Sequence, residues 1–344
     1  MKKILLSLSM LAAVAVVVVG ATTAFFSDTE TSTGNTFTAG AIDLKVDSTS
    51  HYNNMVCTLG DSPATYTWQP EVNFVPTVDH YPVQGSPCDG TWTETDLGAR
   101  HKFFNLVDVK PGDNGEDTIS LHVYSNDSWG RFVISGVTDL DNTCTEPESE
   151  VGALEPECPA PSNVMATTPG ELAESISFWA WLDQGAIPGF QNVDADGDLI
   201  DLDPDVDDFL APDPTEGDNI QQCDDRGDNG SQHECDEPTV IQPGTVDENP
   251  STDQTLADET HNIWPALAGV WDAYCWDFDP QGANGYNECQ GIAEDGRLVG
   301  STTYYFGLAW NIPYGVGNEA QTDSLNANLS FQAVQQRNNP GHTF

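Results

Sequence analysis

Basic residues are the scarcest class in this sequence, which has 10 Lys and Arg against 55 Asp and Glu and a formal net charge of −45. Such a chain repels nucleic acids and anionic membranes and attracts cations, so we expect no nucleic-acid partner. The chain also lacks an H-E-x-x-H zinc motif, a G-x-S-x-G nucleophile turn and a phosphate-binding glycine loop. Its seven histidines are scattered. The residues by themselves therefore indicate no catalytic site.

Long apolar runs are also scarce, and the one that is present lies at the N-terminus. Lys2 and Lys3 precede an apolar stretch from residue 4 to residue 19, and the small residues Thr22 and Ala24 stand at positions −3 and −1 of a cut after Ala24. This order is typical of an export signal, so we expect a signal peptidase to remove residues 1–24 and the protein to be secreted. The alternative is a retained anchor, because about 16 apolar residues are near the lower limit for crossing a bilayer.

Eight cysteines stand along the chain as four pairs of neighbours. An even number of cysteines in an exported protein favours disulfide bonds, and the clustering favours local ones. A zinc site would need closer spacing, such as C-x2-C, which is absent. The expected disulfides join Cys57 with Cys88, Cys144 with Cys158, Cys223 with Cys235, and Cys275 with Cys289.

Long amphipathic helices are missing as well, and "GELAESI" and "NIWPALAGVWDAY" are only modest helical candidates. Period-two alternation of apolar and polar residues predicts strands instead. It is clear in "DTISLHVYS" and "GRFVISGV", which turn residues join into a predicted hairpin, and in "SISFWAWLD" and "TTYYFGLAWNIP". In "SLNANLSFQAVQQ" it predicts one apolar face made of Leu325, Ala327, Leu329, Phe331 and Ala333. The fold class is therefore all-β, with the strands packed as an antiparallel β-sandwich.

We expect a single elaborated domain over residues 25–344. Its strands are predicted near residues 36–47, 103–137, 175–183 and 302–334. Residues 48–100, 138–168 and 184–295 contain all eight cysteines and many Pro, Gly and Asp residues, so they are predicted to be loop insertions stapled by disulfides.

The acidic stretch "NVDADGDLIDLD", residues 192–203, resembles a twelve-residue calcium loop. Asn192, Asp194 and Asp196 occupy positions 1, 3 and 5, and Asp203 occupies position 12. Gly197 stands at the sharp turn, and Asp198 adds a further carboxylate. Eleven acidic residues and no basic one lie between Asp194 and Asp218, so Ca²⁺ is the expected cofactor. A solvated acidic loop without a bound ion is the alternative.

Two segments carry a resemblance to a known family. The first is "AFFSDTETSTGNTFTAGAIDLKV", and the second is "FNLVDVKPGDNGEDTISLHVYSNDS", which contains an N-L-x-x-x-K-P-G-D element. Together they resemble the TasA/camelysin family of secreted surface and biofilm-matrix proteins, and a last strand near "LSFQAVQQRNN" fits too. The matching residues are Phe25, Phe26, Asp28, Thr36, Phe37, Gly40, Asp43 and Leu44 in the first segment, and Asn105, Leu106, Lys110, Pro111, Gly112 and Asp113 in the second.

The resemblance implies a jelly-roll sandwich exported through a specialised signal peptidase, and two different activities. Matrix members of the family form fibres by inserting the mature N-terminal segment of one subunit into the next. Phe25, Phe26 and Phe37 are suited to anchor such an assembly strand, which would make the partners further copies of the chain and other matrix or surface proteins. The alternative is that this segment closes onto its own sandwich. Camelysin-like members imply a metalloendopeptidase instead.

A third hypothesis is a monomeric surface adhesin that binds sugar or protein. It would use the tripeptide at Arg226, Gly227 and Asp228, or the aromatic residues Trp264, Trp271 and Trp276. Chance occurrence in an Asp- and Gly-rich loop is the better explanation of the tripeptide, and burial explains the tryptophans as well as sugar binding does.

Overall fold

The computed structural model describes residues 42–60, 65–98, 100–124, 126–142, 170–185, 188–190, 216–221, 237–245, 260–276 and 289–344. They belong to one compact unit, Ala41–Phe344; a separate unit, Met1–Gly40, lies outside the described residues. The strands are β1 (Asp43–Tyr52), β2 (Met55–Leu59), β3 (Tyr66–Pro70), β4 (Trp92–Thr95), β5 (Asn114–Tyr124), β6 (Ser128–Leu140), β7 (Ser177–Leu182), β8 (Thr239–Thr245), β9 (Thr260–Asn262), β10 (Thr302–Asn311) and β11 (Ser324–Gln335).

Helical structure in the described residues is short, as the sequence predicts. Helix α1 is Leu172–Ser175 and helix α2 is Trp264–Val270, which continues into a π-helical turn, Trp271–Cys275. A 3₁₀ turn covers Asn318–Ala320. Helix α2 has Pro265 in its first turn, where the missing N–H leaves no helical hydrogen bond unmade. No helix among the described residues has the length and apolar character needed to span a membrane.

The strands form two antiparallel sheets. The large sheet has the order β3-β2-β1-β5-β10-β7-β8, and β4 also pairs with β1. The small sheet has the order β11-β6-β9. The predicted all-β, antiparallel class is therefore confirmed, while the jelly-roll topology stays a prediction.

The main core lies between the two sheets and beneath helix α2. Phe132 of β6 packs edge-on against Phe306 of β10, with ring centroids 5.1 Å apart, and lies 4.3 Å from Phe331 of β11. Leu267 of helix α2 is fully buried in the same cluster. Burial of a side chain as large as Phe contributes about 1.5–3 kcal/mol, so contacts of this kind hold the sandwich together.

A second, smaller core lies under β2 and β3. Tyr52, Met55 and Trp68 form its centre with Trp310 of β10. The Cys57–Cys88 disulfide closes a loop over this core, and its Cα atoms are 5.9 Å apart. This segment is therefore part of the sheet and not a loose insertion.

Three expectations need correction. β5 and β6 do not form a hairpin, because β5 pairs with β1 and β10 while β6 pairs with β11 and β9. Residues 48–100 extend β1 and add β2, β3 and β4, and residues 184–295 include β8 and β9. Ala327 does not share the apolar face of β11: it is exposed, since the register shifts between Asn326 and Asn328.

Candidate functional site

Polar side chains collect on the face of the large sheet that points away from the small sheet. On β5, Ile119 and Leu121 enter the core, so the alternate residues Glu116 and His122 take the opposite face. On β1, the same alternation buries Val46 and leaves His51 on the polar face. Strand periodicity therefore places titratable groups of neighbouring strands side by side.

A His–Glu–Glu cluster forms at one end of this face. His51 and Glu116 are direct cross-strand partners on β1 and β5. Glu71 directly follows β3, and its Oε1 atom lies 2.9 Å from His51 Nδ1. One candidate ligand atom from each of the three residues lies within 4.8 Å of the others. The His51 and Glu71 side chains are 20% and 33% exposed, so solvent reaches the cluster.

The segment Glu216–Gln221 supplies another wall of the cluster. Asp183, a buried residue after β7, accepts hydrogen bonds from the N–H of Gly217 at 3.2 Å and from the N–H of Asn219 at 2.8 Å. Gly217 takes a positive φ of 70°, and a Cβ there would lie 2.9 Å from the Tyr305 ring. This close approach favours glycine and brings Asp218 and Asn219 up to Glu116.

Burial and mutual repulsion perturb the carboxyl groups of this site. The pKa of Glu116 is raised to about 7. Burial is the main cause and Glu71 and Asp218 add to it, whereas His51 and the Asn219 amide act in the opposite direction. Burial likewise raises the pKa of Asp183 to about 7, with backbone N–H groups acting in the opposite direction. The site therefore disfavours ionisation of both carboxyl groups, which hold their protons to a higher pH than exposed carboxyl groups do.

A second cluster of polar side chains lies on the same sheet face, beside the His–Glu–Glu cluster. His122 Nε2 lies 2.6 Å from Asp47 Oδ2, and His122 Nδ1 lies 3.0 Å from the Thr303 hydroxyl. Tyr124 donates a 2.8 Å hydrogen bond to Glu94, whose other oxygen is 4.0 Å from His122 Nδ1. These contacts join β1, β4, β5 and β10, so the group stabilises strand pairing across the sheet.

The K-P-G-D element of the resemblance is a structural junction. Asp113 accepts hydrogen bonds from the Tyr52 hydroxyl at 2.7 Å, from the Asn53 side chain at 3.0 Å and from the Lys110 N–H at 2.8 Å. Gly112 has a φ of +94° and packs against the Tyr314 ring. The motif thus fastens the turn before β5 to the β1–β2 turn.

The edge strand β11 is a separate candidate surface. It pairs along its length with β6 and with no other strand in the described part of the chain. Its twelve residues include no charged residue and no proline. Half-buried Leu329 and Phe331 extend the core up to this edge.

Some of the predicted site residues lie in the part of the chain that the structure describes, and the others lie outside it. The structure forms the Cys57–Cys88 and Cys275–Cys289 disulfides. Outside the described residues lie the other two cysteine pairs, the calcium-loop residues Asn192, Asp194, Asp196, Asp198 and Asp203, and the assembly residues Phe25, Phe26 and Phe37. Of the tryptophans considered for sugar binding, Trp276 is 70% exposed.

The N-terminal part of the chain is similar to a known family. A model of the camelysin metallo-endopeptidase family matches residues 1–62. The N-terminal part of this chain is camelysin-like. This confirms the resemblance read from the sequence, and the matched part reaches through β1 and β2 and includes His51. A search of curated proteins finds no match to the chain.

Sequence reasoning missed the cluster of His51, Glu71 and Glu116. The three residues are 20 and 45 positions apart along the chain and form no spaced motif. Only the period-two alternation carried a signal, since it places His51 and Glu116 on polar faces of their strands. Their pairing depends on the register of β1 with β5.

Proposed function

We propose that this protein is an exported cell-surface or matrix component whose subunits associate by strand addition. The N-terminal segment of one subunit would pair with the outer edge of β11 in the next. The observation that carries the proposal is the long β11 edge, with its uncharged sequence and its half-buried Leu329 and Phe331. The camelysin-like N-terminus agrees with a surface or extracellular location.

The composition of β11 is unusual for an edge that must remain unpaired. Natural edges carry Lys, Pro or inward charges that prevent pairing with another chain. In a protein with 55 acidic residues, a twelve-residue edge strand without any charge lacks this protection. An incoming strand would gain main-chain hydrogen bonds and would cover Leu329 and Phe331.

The proposed donor has matching properties. Residues 31–42, "TSTGNTFTAGAI", contain no charged residue, and Phe25, Phe26 and Phe37 provide apolar anchors. Two uncharged strands can meet without the repulsion that the rest of this acidic chain would impose. The same features would also allow the segment to close onto its own subunit, so the experiment must separate the two arrangements.

The test compares the mature chain, residues 25–344, with a variant lacking residues 25–37 and with the double variant Asn326→Asp/Asn328→Asp. Both asparagines are exposed on β11. Asn318→Asp/Asn338→Asp is the matched control, because it adds the same charge at exposed sites outside the strand. Assembly is measured by sedimentation and negative-stain electron microscopy, and folding by circular dichroism.

We expect filaments from the mature chain and from the control, and folded monomers from the deletion and the β11 variant. A deletion variant that unfolds would show that the segment completes its own subunit. Filaments that persist in the β11 variant would show that the β11 edge is not the site of assembly. Monomers in every sample would instead favour the adhesin hypothesis.

A camelysin-like endopeptidase is the second candidate function, and the His51, Glu71 and Glu116 cluster is the observation that favours it. It predicts cleavage of casein by the mature chain that a chelator stops. Glu116→Gln should abolish the cleavage, and Glu94→Gln on the same sheet face should retain it. Absence of cleavage by the folded wild type would exclude this function.

A further inference from the structure

We propose that His51, Glu71 and Glu116 bind a divalent transition-metal ion of the Zn²⁺ class and so connect β1, β5 and the chain after β3. The site uses no residue of the acidic stretch 192–203, and the proposal does not depend on whether the subunits form fibres. Binding is measured without substrate, so failure of the endopeptidase hypothesis also leaves it intact.

The donor atoms of the cluster lie close enough together to share one metal ion. Ligand atoms around a tetrahedral zinc ion lie about 3.4 Å apart, given metal–ligand distances near 2.0–2.2 Å. His51 Nδ1 and Glu71 Oε1 are 2.9 Å apart, close to that separation. A Glu116 oxygen is also within 4.8 Å of both atoms, so a change of side-chain rotamer can complete the set.

Next to the cluster lies the buried side chain of Asn219, which is 3% exposed. Its amide N–H faces the Glu116 carboxyl group as a hydrogen-bond donor. Its Oδ1 accepts no hydrogen bond within the described residues, and a buried acceptor without a partner is unfavourable. A water molecule bound to a metal ion beside Glu116 would donate to this oxygen.

The charges of the cluster are unbalanced. Glu71 and Glu116 bring two carboxyl groups within 4.8 Å of each other, and His51 is the one basic side chain among the three residues. A dication neutralises this repulsion directly. The imidazole nitrogen selects among dications, because Ca²⁺ and Mg²⁺ prefer oxygen ligands whereas Zn²⁺ accepts nitrogen and carboxylate ligands together.

The experiment measures Zn²⁺ binding to the mature, chelator-treated protein by isothermal titration calorimetry, and the melting temperature with and without Zn²⁺. The variants are His51→Gln and the nearly isosteric Glu71→Gln. His122→Gln and Glu94→Gln are matched controls, because they remove the same groups from the neighbouring polar cluster. Far-UV circular dichroism confirms that each variant is folded.

We expect one Zn²⁺ per chain, a raised melting temperature, and at least a tenfold loss of affinity in both site variants but in neither control. Equal affinity in wild type and site variants would mean that zinc binds the acidic surface at large and would overturn the proposal. Absence of stoichiometric binding would overturn it too, and would leave His51 and Glu71 as a simple ion pair. A melting response to Ca²⁺ that requires Glu71, with none to Zn²⁺, would contradict the role given to the imidazole.

Discussion

Replacing Glu116 with Gln tests whether the polar face is electrostatically strained. Burial raises the pKa of Glu116 from an ordinary 4.5 to about 7, so the folded state binds this proton more tightly than the unfolded chain does. Ionisation of a group with a raised carboxyl pKa opposes folding. The penalty is absent below about pH 4.5, grows as the pH rises, and is complete above about pH 7.

The size of the penalty follows from the difference between the two pKa values. A rise from 4.5 to about 7 corresponds to about 3 kcal/mol of folding free energy in favour of the neutral form. Gln has nearly the same shape and does not ionise. Glu116→Gln should therefore match wild type near pH 4.5 and be more stable by about 3 kcal/mol at pH 8. The variant should also lower the pKa of Asp183, since Glu116 is one of the groups that raise it.

Urea unfolding followed by tryptophan fluorescence provides the measurement, at pH 4.5 and pH 8, with disulfides intact and a chelator present. Glu94→Gln is the control, because this partly exposed glutamate lies on the same sheet face and should give no comparable gain at pH 8. If Glu116→Gln and wild type lose the same stability between the two pH values, the account of this site is wrong. Zn²⁺ added to wild type at pH 8 should recover much of the lost stability.

Two further predictions concern packing and the acidic loop. Gly307→Ala should destabilise the fold by about 1–3 kcal/mol in urea unfolding, because its Cβ would lie 2.0 Å from the Trp181 ring. Gly244→Ala, whose nearest neighbour is 3.9 Å away, should cost less, and equal effects would contradict the packing argument. For the calcium loop, Asp194→Ala/Asp196→Ala should abolish a rise in melting temperature caused by millimolar Ca²⁺. If wild type shows no such rise, the predicted calcium site does not exist.

Local sequence patterns anticipated the strands that dominate the core. The patterns in "DTISLHVYS" and "TTYYFGLAWNIP" predict the strands β5 and β10, and the alternation in the first places Ile119 and Leu121 on one face, which is buried. These predictions succeed because the two-residue period of a strand depends only on neighbouring residues. The short strands β2, β3 and β4 were missed, since they are bounded by turn residues and lie in a segment rich in Pro and Gly.

The pairing of strands with one another was harder to predict from the sequence than the strands themselves. β5 and β6 follow each other closely, which favours a hairpin, yet the chain crosses between them from the large sheet to the small one. Each of these strands has one strongly apolar face. When the two faces pack against each other across the core, both are buried. Adjacency within one sheet would leave those faces to be covered by other elements.

The sequence alone determined the class of this protein: an acidic chain with strand periodicity and a camelysin-like N-terminus. Tertiary structure decided which side chains meet. His51, Glu71 and Glu116 converge because β1 and β5 pair in one register and the chain after β3 returns to them. A shift of one residue would turn Glu116 into the core. Register is set by the burial of whole strand faces, a property that no short stretch of sequence contains.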